Sequence, residues 1–327
     1  MQTLIIDSAT VSELLSMTEC ITAMERAFRA LQAGDAVQPL RAVAWPPDAR
    51  GGIAAMPAYL GGPAVMGAKV ITVFPANRSA GLESHQGVVL LFDTENGSLK
   101  AIVDASAITA IRTAAVSGLA TRLLARADAT DLAILGAGTQ AVTHLEAMRS
   151  VRDIRTVRVW SRTLEQSRRF AHKQSQQHGI PIVAVDSASE AVSDASIVCT
   201  VTASKTPVLE GAWLRAGTHV NAVGASVPSA RELDSRAVAM SNIFVDRLES
   251  ALHESGDILI AQAEGAIDGD RIKGELGAVL TGEISGRDSA SEITLFKSLG
   301  LAIEDLAAAQ IVVEKATAKR RGHDVDI

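Results

Sequence analysis

A glycine-containing turn between an apolar run and a helix-favouring segment is the feature that most constrains this chain. The run Asp131–Leu135 leads into Gly136-Ala-Gly138-Thr-Gln-Ala, and the residues from Thr139 onward favour a helix. In such an arrangement of strand, tight turn and helix start, backbone N–H groups can contact a pyrophosphate. Because a lone glycine fingerprint also occurs in purely structural turns, the interpretation depends on the residues that come next in the chain.

The next predicted strand ends in residues that suit a phosphate group. Residues 156–163 predict a strand that closes with Ser161, Arg162 and Thr163, and its end falls 25 residues after Gly136. A nucleotide-binding unit of this type contacts the adenosine ribose there, and an NAD-preferring site usually has Asp or Glu. Two hydroxyls and a guanidinium instead suit a 2′-phosphate. The sequence therefore predicts NADPH or NADP⁺ as cofactor and disfavours NADH; a solvated Arg162 is the alternative.

The middle of the chain alternates short β-branched runs with helical segments. Strands are predicted at 131–135, 156–163, 180–185, 196–202, 218–223 and 243–246, with helices between them. This alternation is typical of a parallel sheet covered on both faces, whose ligands bind at the carboxyl ends of the strands. We predict an α/β fold with a Rossmann-type doubly wound parallel sheet. Ser161–Thr163, Thr200–Ala203 and Gly224–Ser226 then lie along one rim.

The rest of the chain has a different pattern. Strand-like pieces at 66–74, 87–93 and 100–103 are interrupted by Gly, Pro and Asn, and 18–31 has helical spacing. We predict a mixed α+β domain over residues 1–115, a long bridging helix at 105–127, and a nucleotide-binding domain over 116–294. The tail from Ser291 predicts a further helix with apolar residues at Leu295, Leu299, Ile303, Leu306 and Ile311.

Composition and charge exclude several classes of protein. The net charge of −6 has both signs interspersed and leaves no basic stripe, which argues against nucleic acid as a partner. No apolar run reaches the roughly 18 residues of a membrane span. The start of the chain lacks the pattern of a secretion signal, so we predict a cytoplasmic protein. Cys20 and Cys199 are predicted as buried thiols rather than a disulfide, and no metal site is predicted.

Three cations outside the nucleotide-binding segment need a counter-ion. Lys69 lies in an apolar run, Arg112 lies among Ile, Ala and Thr, and Arg41 follows a proline by two residues. A charge embedded in apolar sequence is costly unless it is paired. The residues alone leave two interpretations open for each cation. One is an internal salt bridge or a solvated position, and the other is a contact to a bound anion.

Motifs along nearly the whole chain resemble those of one family. They are Pro39-Leu-Arg41, Met56-Pro57, Gly67-Ala-Lys69-Val, Ser84-His85-Gln86-Gly87, Ile111-Arg112-Thr113, Gly136-Ala-Gly-Thr-Gln-Ala, Asn221-Ala-Val-Gly-Ala-Ser226, Glu232-Leu-Asp, Glu254-Ser-Gly-Asp257 and Leu295-Phe-Lys297-Ser298. On these residues the chain resembles the ornithine cyclodeaminase and mu-crystallin family from about residue 35 to residue 312. The resemblance implies a homodimer with a Rossmann domain for NAD(P). It also implies that the N-terminal domain binds the substrate, forms the dimer contact and is completed by residues 295–327.

The resemblance further implies roles for individual residues. A substrate carboxylate is expected among the cations, where Arg offers two parallel hydrogen bonds and Lys a point charge. The expected substrate-binding residues are Arg41, Lys69, Arg112, Glu254 and Leu299. The expected cofactor-binding residues are Ser84, His85, Arg112, Thr113, Gly136, Gly138, Thr139, Gln140, Ser161, Arg162, Thr163, Thr202, Val223, Ser226 and Ser298. For His85, a proton donor, a cofactor contact and a core position stay open, and for Glu254 so does a capping or dimer-face role.

Ser226 is the departure from the family pattern that bears on the reaction. Ornithine cyclodeaminase and the family's alanine dehydrogenase have an Asp at the matching position, whereas mu-crystallin resembles this chain in having Gly-Ala-Ser. Serine is no general base near neutral pH without an activating neighbour, so the missing carboxylate disfavours a deaminase. The resemblance then implies an NADPH-dependent reductase of cyclic α-imino acids, with Lys69 and Ser226 as candidate catalytic residues. In the alternative interpretation Ser226 only closes a turn.

Two other functions stay open on the sequence. An amino-acid or N-alkylamino-acid dehydrogenase, or ornithine cyclodeaminase itself, would use the same residues but would need an acid for the amine. A binding protein that keeps NADPH and a small carboxylate ligand without turnover would use the same cations. Oxidation of bound NADPH on adding a cyclic imine distinguishes a reductase from a binding protein.

Overall fold

Two compact units make up the chain in the computed structural model, which describes residues 2–48 and 50–327. The first unit comprises residues 1–113 and 300–327, and the second comprises 114–299. The division falls close to the predicted boundary at residue 115. On the C-terminal side it follows Leu299 rather than residue 294.

Strands and helices are distributed along the whole of the described chain. In chain order the strands are β1 (Gln2–Ile6), β2 (Ala36–Val37), β3 (Ala42–Ala44), β4 (Gly52–Leu60), β5 (Val65–Val73), β6 (His85–Phe92), β7 (Leu99–Asp104), β8 (Asp131–Leu135), β9 (Thr156–Trp160), β10 (Ile182–Ala184), β11 (Ile197–Thr200), β12 (His219–Ala222), β13 (Asn242–Val245), β14 (Ile272–Glu275), β15 (Thr294–Lys297) and β16 (His323–Asp326). The helices are α1 (Ser8–Leu14), α2 (Met17–Gln32), α3 (Ala105–Leu124), α4 (Thr139–Val151), α5 (Leu164–His178), α6 (Ala188–Val192), α7 (Ser235–Ala239), α8 (Leu248–Glu254), α9 (Gly256–Ala263), α10 (Leu276–Thr281) and α11 (Ala302–Lys319).

A mixed sheet packed against helices forms the first unit. The strand order is β16-β1-β7-β6-β5-β4-β2, β3 also pairs with β4, and β1 and β7 are parallel. Helices α2 and α11 contact β4, whose burial alternates along the strand. Ala54, Met56 and Ala58 are buried, and Ile53 on the opposite face is exposed. The sheet therefore has one covered face and one face that carries exposed apolar side chains.

Both packing helices begin at recognisable sequence signals. Helix α2 has Ser16 as its N-cap, with Glu19 three residues later, and the two side chains form a hydrogen bond of 2.5 Å. Helix α11 begins beside Gln38, whose Oε1 accepts from the N–H of Ile303 at 3.0 Å. Glu304 and Asp305 lie in its first turn, where the helix dipole favours negative charge.

A parallel sheet in the order β10-β9-β8-β11-β12-β15-β13-β14 forms the second unit. Every neighbouring pair of strands is parallel, and the order in which the chain adds strands reverses between β8 and β11. Strands β9 and β10 lie on one side of β8, the first strand of the unit, and β11 and the later strands lie on its other side, as in doubly wound dinucleotide-binding sheets. The predicted Rossmann-type α/β class is confirmed.

The predicted helix from Ser291 is wrong over its first part. Thr294–Lys297 forms β15, which is buried throughout and lies between β12 and β13. The helix begins only at Ala302. A strand that is covered on both faces reads as a continuous apolar run, and the four-residue spacing of Leu295 and Leu299 imitates a helical period.

Two simpler predictions concern the cysteines and membrane spans. Cys20 and Cys199 are both free thiols and both buried, as predicted. Within residues 2–48 and 50–327, no helix has the length and apolar character needed to cross a membrane.

Candidate functional site

The glycine turn after β8 leaves the start of a helix open. Gly136 has a φ of +124°, and a Cβ there would lie 2.8 Å from the carbonyl oxygen of Val201, which follows β11. Gly138 is the N-cap of α4 and offers no side chain to cap it, and a Cβ there would meet nothing within 4 Å. Thr139 is exposed and Gln140 half-buried. The open N-terminus of a 13-residue helix at the point of strand reversal fits the pyrophosphate of a dinucleotide.

The residues after β9 divide between internal and exposed positions. Ser161 is buried, donates to the carbonyl oxygen of Thr163 at 2.9 Å, and lies 2.8 Å from Ser167 Oγ. Its hydroxyl therefore holds the local turn, and its placement does not support the predicted cofactor contact. Arg162 and Thr163 are exposed, and Thr163 is the N-cap of α5 without a side-chain capping bond.

One buried carboxylate joins the loops that follow β11 and β12. Glu232 Oε1 accepts from both the backbone N–H and the hydroxyl of Thr202, at 2.6 Å each. Its Oε2 accepts from the N–H of Gly224, also at 2.6 Å. Complete burial raises the pKa of the Glu232 carboxyl, which the hydrogen bonds from Thr202 partly offset. The Thr202 hydroxyl is thus held by the protein in the loop where the nicotinamide half was expected.

A second buried carboxylate holds Glu232 in place. Asp257 Oδ1 accepts from the N–H groups of Glu232 and Leu233, at 2.8 and 3.0 Å. Lys297 Nζ lies 2.9 Å from Asp257 Oδ2 and donates to the carbonyl oxygen of Ala225 at 2.5 Å. The motifs that contain Glu232, Asp257 and Lys297 therefore build one internal network, which supports the loops along the rim of the sheet.

The remaining predicted residues of the second unit lie near the ends of its strands. Val223 and Ser226 are half-buried in the loop after β12, and Ser298 is buried directly after β15. Leu299 packs in the hydrophobic core of the unit, so its placement does not support the predicted substrate contact. Glu254 is half-buried at the end of α8.

In the first unit, the ammonium group of Lys69 donates hydrogen bonds to two oxygen atoms. Its side chain on β5 is buried, and Nζ donates to Thr109 Oγ1 at 2.6 Å and to Asp305 Oδ1 at 3.2 Å. Burial lowers the pKa of Lys69 to about 8, although the carboxylate of Asp305 opposes that effect.

Arg112 on α3 forms hydrogen bonds with two carboxylates of α11, one of which also binds Lys69. Its Nε donates to Asp305 Oδ1 at 2.9 Å, and Nη1 donates to Glu304 Oε2 at 2.5 Å. Burial disfavours the charge of Arg112, but the two carboxylates outweigh it and raise the pKa further. Gly300 lies against this guanidinium, because a Cβ there would come within 2.5 Å of Nη1.

The three predicted cations are thus partly compensated from within the protein. Lys69 and Arg112 form internal salt bridges, which was one of the two interpretations that the residues alone left open for each cation. Arg41 is half-buried and donates to the carbonyl oxygen of Gly300 at 3.2 Å. With the side chains ionised, Arg41, Lys69 and Arg112 carry three positive charges against two negative charges on the carboxylates. We call these five side chains, including Glu304 and Asp305, the cation cluster; its net charge is +1.

Sequence reasoning missed Glu304 and Asp305, although a signal was present. Two consecutive carboxylates lie in the apolar stretch Leu299-Gly-Leu-Ala-Ile-Glu-Asp-Leu-Ala-Ala. Both are completely buried. The rule that drew attention to Lys69 and Arg112, that an embedded charge needs a partner, applies equally to these two acids.

The other predicted cofactor residues of the first unit lie near β6 and α3. Ser84 is buried, and its Oγ lies 3.0 Å from Nδ1 of His85, which is exposed at the start of β6. Thr113 is buried and follows Arg112 on α3.

The reversal of strand order, the glycine turn and the uncapped helix start together define a Rossmann-type protein of the kind that binds dinucleotides. A family model described as "Ornithine cyclodeaminase/mu-crystallin family" matches residues 1–320. The chain therefore belongs to the ornithine cyclodeaminase/mu-crystallin family, which confirms the resemblance seen in the motifs.

Individual relatives match this chain over most of its length. Delta(1)-pyrroline-2-carboxylate reductase of Bacillus cereus is 37% identical over 324 residues, 99% of either chain. Ketimine reductase mu-crystallin of Mus musculus is 41% identical over 281 residues, 86% of either chain. The solved structure of Thermococcus litoralis Delta(1)-pyrroline-2-carboxylate reductase in complex with NADH and L-proline is 41% identical. It has a TM-score of 0.97 and covers 99% of this chain and 100% of that one.

The network of buried charges predicts the effect of removing Lys297. Taking away one partner of a buried ion pair typically costs ~3–5 kcal/mol, so Lys297→Met should lower the free energy of unfolding in a urea titration by about that amount. Arg155→Met is the matched control, because Arg155 pairs with Asp153 at an exposed position and such pairs contribute little. Equal stability of the two variants would contradict a supporting role for the network.

Proposed function

We propose that this protein is a nicotinamide-dependent reductase of cyclic α-imino acids. It converts 1-pyrroline-2-carboxylate to proline and 1-piperideine-2-carboxylate to pipecolate. The observation that carries the proposal is the cation cluster, whose five side chains have a net charge of +1 and so match one carboxylate. Similarity over nearly the whole chain to reductases of pyrroline-2-carboxylate and of ketimines supports the same reaction.

The cation cluster suits a single carboxylate because its members are already held in place. The described hydrogen bonds of Arg112 use Nε and one N–H of Nη1, and those of Lys69 use two ammonium protons. The remaining donors, together with Arg41, would bind the substrate carboxylate. Since Glu304 and Asp305 fix the cations beforehand, little reorganisation accompanies binding, which is how a preorganised polar site lowers a barrier.

The second unit would hold the cofactor with residues that the structure describes. The open helix start at Gly136, Gly138, Thr139 and Gln140 would bind the pyrophosphate through backbone N–H groups. Thr202, Val223, Ser226 and Ser298 are assigned to the nicotinamide half, and Ser84, His85 and Thr113 remain predicted contacts. When bound, the cofactor supplies the hydride that reduces the C=N bond.

Ser226 suits the reduction of an imine better than the removal of ammonia. Addition of hydride to a protonated imine needs no base, whereas deamination of an amino acid needs a group that accepts protons. A hydroxyl in the loop after β12 can orient a ligand but is a poor base. The residue at position 226 therefore favours reduction, and Lys69 is the candidate source of a proton for the imine nitrogen.

The proposed function predicts which substrates the protein turns over. Purified protein should oxidise NADPH, followed by its absorbance, on addition of 1-pyrroline-2-carboxylate or 1-piperideine-2-carboxylate. Pyruvate with ammonia or methylamine should give much slower oxidation, because Ser226 offers no carboxylate to the amine. Ammonia release from ornithine without turnover of either imine would overturn the assignment, and NADPH binding without any oxidation would indicate a binding protein.

We further propose that the cofactor is NADPH, on the strength of Arg162 and Thr163 at the start of α5. Hydrogen bonds to a charged group contribute about 1.5–3 kcal/mol, so Arg162→Asp should lower kcat/KM for NADPH by roughly 10- to 100-fold and spare NADH. Arg168→Asp makes the same change of charge at an exposed position within α5 and should alter neither kcat/KM value. An unchanged ratio of the two cofactors in Arg162→Asp would show that Arg162 does not contact a 2′-phosphate.

We propose the first unit as the substrate-binding and dimerisation domain and the second as the NADP-binding domain. The uncovered face of the first sheet carries apolar side chains that a second copy of the chain would bury. The exposed fractions are 62% for Val37, 45% for Ile53 and 38% for Met66, which the strand register places on the same face. Several large apolar side chains on one sheet are typical of a protein–protein contact.

Dimerisation through this face can be tested by introducing one charged side chain on it. Ile53→Asp should convert a dimer into a monomer in sedimentation analysis, because it would bury an unpaired carboxylate in the contact. Val183→Asp is the control, since Val183 is 49% exposed on β10 in the second unit. A monomeric wild-type protein, or a dimeric Ile53→Asp variant, would refute the contact.

A further inference from the structure

The directions of the hydrogen bonds around Lys69 are fixed by its neighbours. The hydroxyl of Thr109 donates its proton to the carbonyl oxygen of Ala105 at 2.6 Å. Thr109 Oγ1 must therefore accept from Lys69 Nζ, and Asp305 Oδ1 accepts a second proton. Because an ammonium has three donors, these two bonds leave one N–H of Lys69 for a ligand. A neutral amine has only two N–H donors for these two acceptors and would present a lone pair to the ligand, so Lys69 offers a hydrogen bond and a positive charge only while it is protonated.

The charges that face Lys69 come from several elements. Asp305 on α11 is the carboxylate bonded directly to Nζ. Arg112 on α3 and Arg41 before β3 repel the ammonium, and Glu304 on α11 bonds to Arg112 rather than to Lys69. Cys20 on α2 stays a neutral thiol, because burial raises its pKa. Asp305 is accordingly the group that most directly offsets both the burial of Lys69 and the repulsion by its neighbours.

We propose that Asp305 is a positioning residue that keeps Lys69 charged and oriented for the substrate. The inference rests on the proposed reductase function, in which Lys69 is needed as an ammonium. This holds whether Lys69 contacts the carboxylate or gives a proton to the imine nitrogen. Neither the sequence motifs nor the predicted site residues included Asp305. Its Oδ1 accepts from both Lys69 and Arg112, and through these two cations its carboxylate would act on the reaction.

The pH dependence of Asp305→Asn tests this role. In the wild-type protein kcat/KM for a cyclic imine should fall as the pH rises past the Lys69 pKa of about 8. Asparagine carries no charge to favour the ammonium, so the pKa of Lys69 falls. The alkaline limb of the pH profile of kcat/KM then moves to lower pH. We expect a shift of at least about one unit, which is a tenfold loss of activity on the alkaline side that is recovered at lower pH. An unmoved limb overturns the proposal.

A neighbouring acid and a neighbouring hydroxyl provide matched variants. Glu304→Gln also removes a buried charge from the first turn of α11, but its partner is a guanidinium that stays charged, so activity should fall without movement of the limb. An equal shift in Glu304→Gln would make the effect non-specific and overturn the proposal. If Asp305→Asn does not fold, Thr109→Val removes the other acceptor of Lys69 and should move the limb in the same direction. Thr109→Ser should restore the wild-type limb.

A readout that does not depend on turnover separates this inference from the proposed function. With ¹³Cε-labelled lysine, the Lys69 resonance can be assigned by its loss in Lys69→Arg and titrated in the wild type and in Asp305→Asn. A lower Lys69 pKa in Asp305→Asn supports the positioning role even if neither imine is reduced, an outcome that would refute only the reductase. An identical pKa in the two proteins refutes the role of Asp305 even if both imines are reduced.

Discussion

A single oxygen atom, Asp305 Oδ1, accepts hydrogen bonds from two buried cations, Lys69 on β5 and Arg112 on α3. Removing a charge from water costs several kcal/mol, so neither cation could stay at these buried positions without a partner of opposite charge. The partner comes from α11, which is distant in sequence from both. Much of the first unit follows from this requirement: α11 has to pack on the sheet, and Gly300 has to leave room for the guanidinium.

The second unit also contains buried charges that need partners, but there the central groups are carboxylates rather than cations. Two buried carboxylates, Glu232 and Asp257, organise the loops after β11 and β12, and a single cation, Lys297, compensates them. Hydrogen bonds from backbone N–H groups satisfy most of the remaining acceptor capacity, as buried carboxylates require. In both units, therefore, buried charged side chains that a sequence would suggest as ligand-binding residues hold neighbouring side chains and loops in place.

This distinction limits what the sequence alone could predict. The glycine turn, the parallel sheet and most of its strands follow from local patterns, and the structure confirms them. The roles of Ser161 and Leu299 depend on which way each side chain turns, which no local pattern reports. Strand β15 was missed because a strand buried on both faces has no alternation of polar and apolar residues. Glu304 and Asp305 could have been singled out as embedded charges, but their pairing with Lys69 and Arg112 could not be predicted, because the partners lie 236 and 192 positions earlier in the chain.

That separation has a consequence for the order in which the protein is made. Asp305 lies 236 positions after Lys69, so the whole second unit leaves the ribosome before the counter-ions of the first. The second unit is continuous in sequence from 114 to 299 and can fold as it emerges, as domains generally do during synthesis. The first unit has to wait, with its basic side chains still hydrated, until the last helix is released. The segment that precedes the second unit in the chain is thus completed after it.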